Sequence, residues 1–179
     1  MRLALLATAA LLTASAATVP EMDLRDIVAG SARIIRGEVV RSWTAWDDSR
    51  RAIWTHHEIH VDEALRGGAG RFVVSSPGGT LNGLTMHVPG ATSFRVGEEV
   101  IVFAYQVPNG MWRLRGWGQG KYLVSRTADG ARVIRPSATS LHLTQGEGAK
   151  PGPPTAAAAP GDLDSFLRTV RGLTDEAGR

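Results

Sequence analysis

From Ile53 the chain alternates with a period of two. Ile53, Thr55, His57, Ile59 and Val61 fall on one side, and Trp54, His56, Glu58, His60 and Asp62 on the other. That spacing marks a β-strand with one buried face, running here to residue 65. Three two-residue turns of the x-Gly type follow it: Asn82-Gly83, Asn109-Gly110 and Asp129-Gly130. A type I′ hairpin turn needs positive φ at both central positions, which Asn, Asp and Gly tolerate best. The chain is thereby committed to antiparallel pairing. The run Val100 to Tyr105 is apolar on both faces and is expected to be the central strand.

Other runs fill in the same layout. Residues 22–30 read as a short helix with Leu24, Ile27 and Val28 on one face and Gly30 at its end. Strands are expected over 31–43, 71–76, 85–88, 111–117, 121–127 and 132–134. Trp46-Asp47-Asp48-Ser49-Arg50 reads as a turn. Residues 136–161 are rich in Pro, Ala, Gly, Ser and Thr, which suits a poorly ordered linker. Beyond it, Leu163, Phe166, Leu167, Val170 and Leu173 make one apolar helical stripe, with Asp162 as the N-cap. A helix this short is marginal alone in water, so it is expected to dock on the β domain. The fold class is all-β and mostly antiparallel, either a small OB-like barrel or a sandwich, with a short N-terminal helix and a C-terminal amphipathic helix.

The N-terminus points to export. Met1-Arg2 precedes the apolar run Leu3 to Leu12, and Thr13-Ala14-Ser15-Ala16-Ala17 supplies small residues for cleavage. A membrane span needs roughly 20 apolar residues, more than this run offers. The division is therefore 1–17 signal peptide, 18–135 β domain, 136–161 linker and 162–175 C-terminal helix. The product is expected outside the cytoplasm, periplasmic or extracellular, without stable membrane insertion. The 179 residues include no Cys. That excludes disulfides, thiolate metal sites, a cysteine nucleophile and a lipidated cysteine. The net charge of +3 is too small to imply nucleic acid.

Candidate chemistry is sparse. His56 and His60 would be a metal pair on a helix, but four residues along a strand separate them by roughly 13 Å. No metal site and no cofactor is expected. His57 lies on the apolar face and reads as a core or rim residue. No Gly-x-Ser-x-Gly elbow is present, and no serine sits beside a recognisable base in the sequence. The acids Asp47, Asp48, Glu58, Asp62, Glu63, Glu98 and Glu99 read as solvated groups on turns and exposed strand faces. Gly116-Trp117-Gly118-Gln119-Gly120 lacks the strand–loop–helix setting of a phosphate loop and reads as a tight bend between strands. No catalytic residue is assigned. Tryptophan is the compositional oddity: of eleven aromatics, five are Trp43, Trp46, Trp54, Trp112 and Trp117. Trp54 shares the polar face of its strand with His56, Glu58 and His60. These four residues form the candidate binding surface.

Two blocks carry a resemblance. One runs Ile34-Ile35-Arg36-Gly37-Glu38-Val39, then Trp54-Thr55 to Val61-Asp62-Glu63-Ala64-Leu65-Arg66-Gly67. The other is Pro77-Gly78-Gly79 followed by Val88-Pro89-Gly90 and Phe94-x-Val96-Gly97-Glu98-Glu99-Val100-x-Val102-Phe103. Together they resemble a family of exported bacterial proteins of unknown function. The opening strand is also similar to netrin-like, OB-type barrels such as tissue inhibitors of metalloproteinases. Those inhibitors place an N-terminal Cys on the protease zinc, and this chain has no Cys. Fold-level similarity does not carry function. The reading that results is an exported, non-enzymatic binding module for another exported protein, with a secreted protease as one candidate partner. Carbohydrate or cell-wall binding through exposed Trp is the alternative, and a metal-dependent hydrolase the third. The oligomeric state is left open.

Overall fold

The computed structural model describes residues 18–134, 142–144 and 161–178. The expected signal peptide and most of the expected linker lie outside these residues. In chain order the elements are β1 (Thr18–Pro20), α1 (Leu24–Ala29), β2 (Arg33–Trp46), β3 (Ile53–Arg66), β4 (Gly70–Pro77), β5 (Gly79–Leu81), β6 (Leu84–Met86), β7 (Glu99–Gln106), β8 (Trp112–Leu114), a 3₁₀ turn (Trp117–Gly120), β9 (Lys121–Thr127), β10 (Gly130–Ile134), β11 (His142–Thr144) and α2 (Leu163–Ala177). Within the expected linker, β11 pairs in parallel with β1.

The main sheet is antiparallel, in the order β10-β9-β7-β2-β3-β4, with β8 added to β7. One edge of β7 serves two strands end to end. Val100–Val102 pair with β9, and Ala104–Gln106 pair with β8. The strand expected over 111–117 stops at Leu114, because the chain bends at 115–120 before it rejoins β7. Arg115 N–H donates to Phe103 O at 2.8 Å inside that bend. A Cβ on Gly120 would lie 2.8 Å from the same carbonyl, so only Gly fits there.

The sheet curls, and its two faces hold two separate cores. Ile35, Val39, Ile59, Val61, Phe72, Val74, Val100, Val102 and Leu114 pack inside the concave face. Ile34, Ile101, Phe103, Tyr122 and Val133 point outward, where Ile27 and Val28 of α1 and Leu163, Phe166, Leu167 and Val170 of α2 cover them. The expected docking of α2 on the β domain is thus observed. No backbone pairing joins β4 to β8 among the described residues, so the barrel alternative does not close. The class is an antiparallel, sandwich-like all-β fold with helices over part of one face.

Local chemistry agrees with these elements. Asp23 caps α1 through the Asp26 N–H at 2.7 Å, and Asp162 caps α2 through Ser165 N–H at 2.9 Å. Asn82 and Gly83 take φ of 50° and 79°, the I′ geometry that the β5–β6 hairpin requires. Ion pairs also fasten α2 to the sheet. Arg171 bonds Glu63, which bonds Arg36, which bonds Glu99 at 2.6 Å.

Phe166 packs against Tyr122 with ring centroids 4.9 Å apart and planes tilted by 44°, and is 5% exposed. Phe166→Ala is expected to lower unfolding free energy by about 3 kcal/mol, read by urea titration.

Candidate functional site

Pairing along β2, β3 and β4 decides which side chains meet. Trp43 lies opposite His56, Ala45 opposite Trp54, and Arg41 opposite Glu58. On the other side of β3, His56 lies opposite Ser75 and Trp54 opposite Pro77. The helices cover the outer face at the far end of the sheet and leave this end open. Trp54 stands between the two short neighbours Ala45 and Pro77 and is half-buried.

Cations and rings contact each indole on this face. The Arg41 guanidinium lies 4.9 Å from the Trp43 ring, and the His56 ring is 5.3 Å from it. Arg113 lies 5.1 Å from the Trp54 ring and 6.0 Å from Trp117. These are cation–π distances. Trp117 reaches this position from the bend after β8, where Gly116 and Trp117 take φ of 60° and 58°. Gly accepts that conformation freely. For Trp it costs on the order of 1–3 kcal/mol, a kind of strain that clusters at functional sites.

Of the four sequence candidates, Trp54 and His56 belong to this aromatic cluster. His56 Nδ1 shares a hydrogen bond with Ser75 Oγ at 2.8 Å. Burial holds its pKa below the usual 6.5. Glu58 departs from expectation: it is 8% exposed rather than solvated. Arg71 reaches across from β4 and bonds its Oε1 at 2.5 Å, compensating the buried carboxylate. His60 is exposed, opposite Arg71 and Glu38, and set apart from the tryptophans.

The curl of the sheet brings β8 against the end of β4 and opens a pocket beside Trp117. Ser75, Ser76, Thr92, Tyr105 and Arg113 line it, over a floor of Pro77 and Leu114. The sequence marked Trp117 in the tryptophan excess and in the Gly116–Gly120 bend between strands, which the structure places between β8 and β9, and carried no functional signal for the rest. Arg113 lies far from Trp54 along the chain, and only the curl makes them neighbours.

The concave face holds a second polar group. His57 is 3% exposed, shares a hydrogen bond at Nδ1 with Ser42 Oγ at 2.8 Å, and has no partner at Nε2 among the described residues. Its ring lies 4.5 Å from Phe94, and Lys121 Nζ approaches the same Phe94 ring at 4.3 Å. Lys121 is 2% exposed and donates to Ser93 O and Glu98 Oε2, both at 2.7 Å. Burial lowers the Lys121 pKa, opposed by Glu98. Burial pushes Glu98 up, but the Lys121 hydrogen bond and a backbone bond with Arg95 more than reverse it. Burial, then Lys121 and His56, push His57 down to about 4. A base that weak is neutral at pH 7 and ill suited to activate Ser42. Among the described residues no cluster of three His, Asp or Glu side chains is placed to hold a metal.

No family model, curated protein or solved structure matches this chain.

The His57 shift has a sign that can be checked. Its native pKa of about 4 lies below the unfolded 6.5, so the unfolded chain binds the extra proton first. Stability is full above pH 6.5 and falls by about 3 kcal/mol as pH drops through 4. Urea titrations between pH 7 and pH 5 should show this slope. His57→Phe should flatten it, leaving the shallower dependence from His56. An unchanged slope in that variant would mean that His57 is not the buried neutral base.

Proposed function

We propose that this chain is an exported, non-enzymatic binding module that docks another exported protein through the open end of its outer sheet face. The observation that carries this reading is the Arg113 guanidinium lying over both Trp54 and Trp117, with no carboxylate partner among the described residues. Trp and Arg are the residue types that dominate binding energy at protein interfaces. Among the described residues Arg41 and Arg113 have no carboxylate partner while Glu58 is paired with Arg71, so the face is cationic and complements an acidic partner surface.

A sugar-stacking role is less well supported. Carbohydrate rings need a bare flat indole, and each of these three indoles has a guanidinium within 6.0 Å of its centroid, Arg113 serving two of them. The export signal supports a partner in the same compartment, a secreted protease included.

The test is capture from the native exported fraction by the mature chain, followed by titration of any recovered protein after purification. Trp54→Ala combined with His56→Ala should weaken that titration by tenfold or more, at the scale of a two-residue hot spot. Affinity should also fall as salt rises, because the face is cationic. Affinity unchanged in the double variant, with its fold shown intact by circular dichroism, would remove the proposal.

A further inference from the structure

The pocket between β4 and β8 has a lining of one sign. Among the described residues Arg113 is its only charged side chain, and no Asp or Glu lines it. Ser76 is 5% exposed, and among the described residues the Ser76, Thr92 and Tyr105 hydroxyls make no hydrogen bond. Three idle donors and one guanidinium therefore converge on one recess. A group that accepts from these hydroxyls gains hydrogen bonds that none of them makes to another described residue. The pocket volume is about 30 Å³. One water needs roughly 10–15 Å³, so the recess has room for the end group of a side chain.

We propose that this recess is a carboxylate-binding site that takes an acidic side chain of the docked partner. The proposal rests on the reading of the outer face as a protein-docking surface, and it names the anchor. The ligand chemistry follows from the donors: a planar anion with two acceptor oxygens matches a guanidinium flanked by hydroxyls. The floor of Pro77 and Leu114 lowers the local dielectric and strengthens each of these bonds. A side chain is preferred over a chain terminus because Arg113 lies over both Trp54 and Trp117. A backbone that continues past the pocket covers both rings, whereas one that ends there does not. The left-handed backbone at Trp117 fits the same picture, because it places the ring at the pocket wall.

The experiment uses the mature chain labelled with ¹⁵N, reading the indole N–H signals of Trp54 and Trp117. Four probes are titrated: N-acetyl-glutamate N-methylamide, its glutamine counterpart, N-acetylglycine and glucuronate. The glutamate derivative should shift both indole signals saturably, and the glutamine derivative should bind at least tenfold more weakly. Arg113→Leu should weaken the glutamate derivative by about tenfold or more, and Ser76→Ala by a smaller factor, with the rest of each spectrum unchanged. Equal response to glutamate and glutamine, no saturable response, or full retention in Arg113→Leu would overturn the site. Tighter binding of N-acetylglycine would overturn the side-chain assignment in favour of a terminus, and tighter binding of glucuronate would overturn it in favour of a saccharide. The titration needs no partner, so its outcome separates from the docking reading. A silent titration, with partner affinity still lost in the Trp54/His56 variant, overturns the pocket alone. A saturable titration with partner affinity indifferent to Trp54 overturns the docking reading, and with it the partner as the source of the carboxylate.

Discussion

Strand β7 is buried on both of its faces, and the remaining elements are arranged by that requirement. Val100 and Val102 point into the concave core while Ile101 and Phe103 point to the helices, all four with no exposed surface. A single sheet with one solvated face leaves half of such a strand in water. Burying a side chain of this size contributes about 1.5–3 kcal/mol, so the uncovered half is a strong drive. The structure meets it in two ways. The sheet curls so that its own far strands cover one face, and α1 with α2 cover the other. A chain without cysteine has no cross-link to substitute for this double core.

Curling has a geometric consequence that creates the site. One edge of β7 carries β9 at one end and β8 at the other, and the chain turns sharply between them. The turn forces Gly116 and Trp117 into left-handed backbone. It also swings β8 against β4, where Phe72 and Trp112 meet edge to face at 5.5 Å. The curl stops short of backbone pairing, and the unpaired seam holds the recess with its idle hydroxyls. The aromatic face and the recess are therefore by-products of a nearly closed sheet. The helices, placed by the apolar residues at the other end, leave that region uncovered.

The concave core contains charge, and its arrangement shows how this is tolerated. Phe94 lies between the His57 ring and the Lys121 ammonium, while Glu98 and a backbone carbonyl satisfy the ammonium. His57 takes the other solution and gives up its proton. One buried group is kept charged by a partner and the next is kept neutral by burial, the two outcomes open to an ionisable side chain out of water.

Much of the fold was legible before any coordinates. Alternation placed Ile53, Thr55, His57, Ile59 and Val61 on the inner side of β3 and Trp54, His56, Glu58 and His60 on the outer side. The three x-Gly turns fell at hairpins, the run from Val100 became the central strand, and the stripe from Leu163 to Val170 became the buried face of α2. These are local properties, because side-chain direction along a strand or helix follows from backbone period alone. Glu58 shows the limit. Its face was readable, but its burial depends on Arg71, supplied by the next strand. Arg113 shows the limit more sharply. Its contact with Trp54 and its place in a recess with Ser76 and Tyr105 depend on how far the sheet curls. Curl is set by the balance of both cores, summed over all strands. The sequence by itself determined which residues face inward and where the chain turns. Only the tertiary structure decided which outward residues meet, because that depends on the spacing of strands brought together from distant parts of the chain.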